Sequence, residues 1–260
     1  MDLAWLGAQK LEVFILVFVR TAGIFTMTPI FGANQVPPQV RIAVAVGMAL
    51  IFVPLCPVDA VLAGDVLPMA LLIAKEALVG LVIGFVVTLV FAVFQIAGDF
   101  IDAQAGFSFA TMVDPASGTS TSVAARFHQI LVGLLFFATN AHHVVITGLA
   151  DSFRLVPIGE TALNPLVANG ALDIFATLFT VALRIASPVV AAVFLADVAL
   201  AIVSRAVPQM NVIMAGMPLK LGVGLVGLLV ALPVLATSSQ GVFADMYSQM
   251  GSMLHLLVGS

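Results

Sequence analysis

The chain has 260 residues, of which 62% are hydrophobic and 8% are charged, and its formal net charge is −4. A soluble domain has roughly 25% charged residues, so much of this surface must face lipid or partner proteins. The few basic residues form no run, which argues against nucleic acid as a partner. The composition indicates an integral membrane protein.

Six apolar segments follow one another, most of them near the roughly 20 residues with which a helix spans a bilayer. They lie at 11–30, 41–56, 68–98, 123–149, 171–203 and 221–236. A less hydrophobic tail, 237–260, is predicted to be an amphipathic helix bound by a partner. With no linker or convincing repeat, the sequence predicts an all-α membrane protein of about six long, partly bent helices, folded as a single membrane domain, 1–260.

Four of the charged residues within these apolar segments are singled out because they lie away from the segment ends or share a face with small residues. They are Arg20, Glu76, Arg184 and Asp197. Charge at such depth is costly and usually faces a bundle interior, a partner or water. We expect these residues at helix or subunit interfaces, with Glu76 and Arg184 paired or hydrogen-bonded in an assembly, because a buried charge needs a partner.

Small residues recur on one face of the third segment. Gly80 and Gly84 follow Glu76 at four-residue spacing, and residues four apart share a helical face. A GxxxG pair allows another helix to approach closely. We interpret this face as a packing surface, with either another helix of the chain or a partner subunit.

Patterns typical of catalysis and metal binding are missing. The adjacent His142 and His143 point about 100° apart on a helix and cannot ligate one metal from one face, and His128 lies nearly four turns away. Gly106 to Ala110 lacks the second glycine of a GxSxG elbow, and no HExxH, Walker or Rossmann motif is present. The sequence predicts no catalytic, metal or cofactor site.

The segment at 106–122 is unusual for a membrane protein. It is too apolar at its start for a solvated loop, and too rich in Gly, Ser, Thr and Pro for a membrane helix. Irregular backbone near a membrane is tolerated where protein or an aqueous cavity satisfies it. From composition alone, a pore plug and a surface loop with aromatic anchors are equally compatible. The residues that would gate a pore are Gly106, Phe107, Ser108, Phe109, Met112, Asp114, Pro115 and Gly118.

Four blocks, spread over nearly the whole chain, carry a family resemblance. They are Arg20 through Thr28-Pro29-Ile30-Phe31-Gly32 to Arg41; Glu76 with Gly80 and Gly84; Ala97-Gly98 through Gly106-Phe107-Ser108-Phe109-Ala110 and Val113-Asp114-Pro115 to His142-His143; and Ala186-Ser187-Pro188-Val189 through Asp197, Arg205 and Pro208-Gln209-Met210-Asn211-Val212 to Gly216-Met217-Pro218-Leu219-Lys220. In this order the blocks resemble the FliR family of type III secretion export-gate proteins, which serve flagella and injectisomes.

The resemblance implies more than composition does. Members of this family assemble with FliP-like and FliQ-like subunits and an FlhB-like protein into a helical export gate for unfolded proteins. The gate lies in the bacterial inner membrane, at the flagellar basal body. Its bent helices form a cone partly outside the lipid, and Pro188 and Pro233 suit such bends. The segment matching 106–122 forms part of a plug in the pore, and no cofactor is implied.

Two other classes of protein remain as alternatives. A secondary transporter of a small solute would use the four intramembrane charges for coupling, and inverted halves, which we do not find, would be expected. An intramembrane hydrolase would need the missing motifs. A gate subunit should co-purify with unlike partners, whereas a transporter should act alone or as a homo-oligomer.

Overall fold

A computed structural model of the chain describes residues 8–32, 36–56, 66–107, 123–162, 164–207 and 212–258. The described residues form helices and turns and no β-strand, which confirms the all-α class. The helices are α1 (Ala8–Met27), α2 (Pro29–Gly32), α3 (Pro38–Phe52, followed by the 3₁₀ turn Val53–Leu55), α4 (Val66–Ala105), α5 (Val123–Ala138), α6 (Ala141–Leu155), α7 (Leu166–Ala206) and α8 (Val212–Val258).

Long apolar helices dominate the described part of the chain. Four stretches within it are long and apolar enough to cross a membrane, and the bent pair α5–α6 would make a fifth. The prediction of about six such helices is therefore slightly high, because α1 carries Lys10, Glu12 and Arg20 along its 20 residues. At 1.5 Å per residue, the 40 residues of α4 extend ~60 Å, about twice the hydrocarbon thickness of a bilayer.

Prolines and one left-handed residue set several helix boundaries. Pro38 opens α3, where its fixed φ suits the first turn and its missing N–H costs nothing. Asn140 has φ 59°, a conformation that interrupts a right-handed helix, and it lies between the end of α5 and the start of α6. The apolar segment at 123–149 is therefore two helices rather than one.

Two helices extend further than the sequence predicts. α4 continues through Gly98 to Ala105, because Gly98 serves a close approach and not a helix end: a Cβ there would overlap the backbone of Ala125 on α5. The tail at 237–260 does not begin as a separate helix, because α8 continues into it as far as Val258. Its methionines Met246, Met250 and Met253 are buried within this chain.

The chain divides into two compact units. The first consists of the described residues of Met1–Leu89, Asn140–Phe175 and Phe243–Ser260. Its core holds Leu16 of α1, Ile83 of α4, Leu149 of α6 and Met250 of α8, all nearly inaccessible.

The second unit consists of the described residues of Val90–Thr139 and Ala176–Val242. Its core contains Phe91 of α4 and Phe136 of α5, whose rings meet edge to face at 5.2 Å between centroids. Ala182 of α7 and Leu235 of α8 complete it. The predicted single membrane domain stays a prediction.

Candidate functional site

Two charges of the first unit form a buried pair. Nε of Arg20 on α1 donates to Oε2 of Glu76 on α4 at 2.6 Å, and both side chains are 0% exposed. Such a pair is stable only if its other donors and acceptors are satisfied, because the desolvation cost can exceed the attraction. The structure thus brings together two of the four charges singled out in the sequence.

The C-terminal end of α6 satisfies much of the guanidinium. Nη1 of Arg20 donates to the carbonyl oxygens of Ser152 at 2.8 Å and of Val156 at 3.0 Å. The guanidinium carbon also lies 4.5 Å from the centroid of the Phe153 ring, a cation–π contact. Helix C-terminal carbonyls favour a cation, so this end of α6 is suited to hold Arg20.

The turn after α6 satisfies the carboxylate. The backbone N–H of Gly159 donates to Oε1 of Glu76 at 3.0 Å, and Nζ of Lys75 donates to the Gly159 carbonyl oxygen at 3.0 Å. Gly159 has φ +85°, which other residues rarely adopt. Sequence reasoning missed Gly159, although the run Pro157-Ile158-Gly159 is a signal of a turn.

Glycines let α1 and α4 come close enough for the pair to form. A Cβ at Gly80 would overlap the carbonyl oxygen of Arg20, and one at Gly23 would come within 3.1 Å of the Gly80 carbonyl carbon. A Cβ at Gly84 would lie 2.7 Å from that of Met27. In this chain, both glycines of the predicted packing face therefore meet α1.

The single cysteine is buried at the end of the turn that follows α3. Sγ of Cys56 lies 3.5 Å from the carbonyl oxygen of Phe52. The cysteine is therefore part of the packing of this unit.

The other two singled-out charges lie in the second unit. Arg184 is exposed on α7, so the partner of Glu76 within the chain is Arg20 and not Arg184. Asp197, also on α7, accepts from two helices. Its Oδ1 lies 2.6 Å from Nζ of Lys220 on α8, and its Oδ2 accepts from Nε2 of Gln104 on α4 at 3.2 Å.

A hydrogen bond joins the two helices that flank the 106–122 segment. Oδ1 of the buried Asp102, in the last turns of α4, accepts from the backbone N–H of Ala124 in the first turn of α5 at 2.9 Å. Gly106 then leaves the helix with φ +80° while its N–H still donates to the Asp102 carbonyl oxygen at 3.0 Å. The residues before and after the segment are therefore held together by the Asp102–Ala124 hydrogen bond, which we call the base of the segment.

Most of the predicted gating residues lie outside the described residues. Of that set the structure describes Gly106 and Phe107. The residues outside it are Ser108, Phe109, Met112, Asp114, Pro115 and Gly118.

The three histidines singled out in the sequence contact a backbone carbonyl oxygen or each other. Nδ1 of the buried His128 lies 2.7 Å from the carbonyl oxygen of Ala124, and the rings of His142 and His143 are 4.2 Å apart between centroids at the start of α6. Among the described residues, no three His, Cys, Asp or Glu side chains are grouped so that they could hold a metal ion.

Comparison with known proteins gives matches over most of the chain. Residues 11–246 match the family of bacterial export proteins, family 1. The flagellar biosynthetic protein FliR of Bacillus subtilis strain 168 is 36% identical over 247 residues, covering 94% of this chain and 95% of that protein. FliR of Escherichia coli K12 is 28% identical over 244 residues, covering 94% and 93%. The surface presentation of antigens protein SpaR of Shigella sonnei is 27% identical over 217 residues, covering 82% and 83%.

Long apolar helices and a buried ion pair define a helical membrane protein. The chain belongs to family 1 of the bacterial export proteins, the family of the FliR proteins. It is an integral membrane component of type III protein export in flagellar biosynthesis, and it is not an enzyme.

Proposed function

We propose that the chain forms, with FliP-like and FliQ-like subunits and an FlhB-like protein, the channel through which unfolded flagellar proteins cross the bacterial inner membrane. The observation that carries the proposal is the match to the export family over residues 11–246, together with apolar surface that this chain does not cover itself. Along α7, Leu172, Phe175, Phe194 and Ile202 are all exposed.

Lipid alone would not cover all of this surface. α7 has 41 residues and α8 has 47, which correspond to ~60 and ~70 Å of helix, whereas the hydrocarbon core of a bilayer is ~30 Å thick. Apolar residues beyond the lipid need protein neighbours, because exposed apolar patches of this extent mark interaction sites. This length supports assembly with other helical subunits.

Dependence on partners is the expected result of separate expression. Without FliP-like and FliQ-like subunits, the chain should be degraded or should aggregate after extraction in mild detergent. Co-expressed with them, it should elute as one stable complex that contains the unlike subunits. The measurement is size-exclusion chromatography with subunit identification, and a stable, monodisperse monomer obtained without partners would contradict the proposal.

The 106–122 segment closes the proposed channel when no substrate is present. An export pore must hold back ions, because the membrane potential does about 2.3 kcal/mol of work per charge per 100 mV. A hydrophobic constriction can seal by dewetting and still yield to a peptide. Phe107, Phe109 and Met112 supply apolar bulk, and Gly106 with φ +80° allows a change of direction at the end of α4. Because the Asp102–Ala124 hydrogen bond holds the flanking helices in place, the segment can move while α4 and α5 stay where they are.

A leaky but assembled complex is the expected result of removing the seal. Deleting Gly106 to Thr119, or combining Phe107→Ala with Phe109→Ala, should raise ion conductance several-fold and inhibit growth, while the subunits still co-purify. Phe137→Ala, at an exposed phenylalanine of α5 outside the segment and outside the α7 surface, is the control and should not leak. Normal assembly with a tight membrane in both plug variants would show that the segment is a surface loop.

The buried pair argues against the transporter alternative. A coupling site must exchange ions or protons with water, yet Arg20 and Glu76 are 0% exposed and hydrogen-bonded to backbone groups of α6 and its following turn. Such a pair is suited to holding helices together.

A further inference from the structure

An apolar groove lies on the surface of the second unit, between α7 and α8. Its volume is about 620 Å³, and α8 contributes most of its lining. On α8 the lining extends from Pro218 to Val234, which is ~24 Å of helix or more than four turns. The side chains of Val226 and Val230 are exposed in it. The lining residues that matter below are Pro188 of α7 and Gly222, Val226 and Val230 of α8.

Gly222 leaves room in this groove for a neighbour. No atom of the described residues lies within 4 Å of a Cβ added at Gly222, whereas a Cβ at Gly227 would lie 3.0 Å from Cγ1 of Val189. Gly227 therefore lets α7 come close, and Gly222 faces away from the helices of this chain. A glycine on an apolar helix face allows a second helix to approach closely. The groove can thus receive a helix whose backbone lies near Gly222.

An exposed arginine borders the groove. Arg184 precedes Pro188 by four residues, so the two share a face of α7. Pro188 has no N–H to offer the Arg184 carbonyl oxygen, and Oγ of Ser187 donates to that oxygen at 2.9 Å instead. The backbone is satisfied, but no carboxylate of the described residues lies within ion-pair distance of the guanidinium. Asp197, ~20 Å further along α7, pairs with Lys220.

The position of Arg184 along α7 favours a protein carboxylate over a lipid phosphate. Arg184 lies near the middle of α7, ~27 Å from the first residue of the helix and ~33 Å from the last. Exposed apolar side chains occur on both sides of it, Leu183 before and Phe194 and Leu195 after. An arginine that bound a lipid phosphate would lie where the apolar surface ends, at the edge of the hydrocarbon. A charge within an apolar surface usually pairs with another protein group.

We propose that this groove is the docking site of an apolar helix from an unlike subunit of the export complex, and that this helix carries an Asp or Glu whose carboxylate pairs with Arg184. The partner helix packs its apolar side chains against Val226 and Val230, with its backbone near Gly222. The carboxylate fixes the register and the choice of partner, because a helix without it would leave Arg184 covered and unpaired. The inference rests on the proposed assembly of the chain with other subunits.

Filling the groove is the first test. Gly222→Leu adds a side chain into open space, so the packing of the chain itself is unaffected, and leucine favours helix over glycine. In the co-expressed complex, purified in mild detergent, the amount of unlike subunit recovered per mole of this chain should fall several-fold. Gly133→Leu, at a glycine of α5 that also has no described atom near an added Cβ, is the matched control and should keep its partners.

The charge is tested by exchange. Arg184→Glu should lose unlike subunits at least as strongly as Gly222→Leu, whereas Arg126→Glu, at an exposed arginine of α5, should retain them. A photoreactive amino acid in place of Val226 should form a cross-link to an apolar segment of an unlike subunit that contains an Asp or Glu. Replacing that acidic residue by Arg in the Arg184→Glu background should restore co-purification. If Gly222→Leu fails to accumulate in membranes, Arg184→Glu and the exchanged pair decide the question.

The docking site and the export channel fail in different ways. Normal co-purification of both Gly222→Leu and Arg184→Glu would refute the docking site and leave the channel proposal intact. A cross-link from position 226 to lipid, to a second copy of this chain or to a segment without an acidic residue would do the same. If the wild-type chain itself recovers no unlike subunit, the proposed assembly is refuted and the docking site with it.

Discussion

Replacing Glu76 by alanine is expected to prevent the chain from reaching a stable, assembled state. The change leaves the guanidinium of Arg20 buried and without its carboxylate, and breaking a buried pair in this way costs about 3–5 kcal/mol. Native proteins are stable by only about 5–15 kcal/mol, so the loss is a large part of the total. The amount of the chain in membranes and its co-purification with partners should both fall strongly.

Two further variants test whether the unpaired charge of Arg20 causes the loss of stable, assembled protein. Arg20→Met together with Glu76→Met removes both charges at similar volume, and the double variant should be more abundant than Glu76→Ala. Glu160→Ala changes an exposed glutamate near the same turn and should have no effect. If Glu76→Ala assembled normally but changed ion flux, the residue would act in transport and not in packing.

Replacing Gly80 by alanine is expected to separate α1 from α4. The added methyl group would overlap the carbonyl oxygen of Arg20, which belongs to backbone and cannot move aside as a flexible side chain could. Overpacking of this kind costs about 1–3 kcal/mol, and here it also pulls Arg20 away from Glu76. The purified complex should lose its partners at a markedly lower temperature than the wild type.

Gly47 provides the control for this substitution. It lies on α3 with no atom near the position of an added Cβ, so Gly47→Ala should leave the melting temperature unchanged or raise it, since alanine favours helix by about 0.5–1 kcal/mol. Equal melting temperatures for Gly80→Ala and Gly47→Ala would contradict the close approach of α1 and α4.

Sequence patterns predicted the kind of residue that matters better than they predicted its partner. Apolar periodicity cannot relate positions 56 residues apart, so Arg20 and Glu76 could be identified as charges in need of partners but not as each other's partner. The face of Gly80 and Gly84 was predicted as a packing surface. Its contact proved to be α1 of the same chain, which hydropathy alone could not distinguish from another subunit.

Helix ends were predicted less well, because a glycine can either end a helix or allow another helix to come close. Gly98 suggested the end of a helix, yet it lies inside α4 where α5 comes close. Gly106 is the glycine with positive φ, just after the true end of the helix. The tail at 237–260 is less apolar than the segment before it, and composition cannot show that its methionines are covered by the chain's own helices.

Protein export in living cells tests the central claim most directly. In the host of this protein, deletion of the gene should reduce secreted flagellar proteins to background, leave uptake of small solutes unchanged, and be reversed by restoring the gene. Continued secretion without the gene, or loss of a solute's uptake while secretion persists, would contradict the account of the chain as a subunit of the export channel.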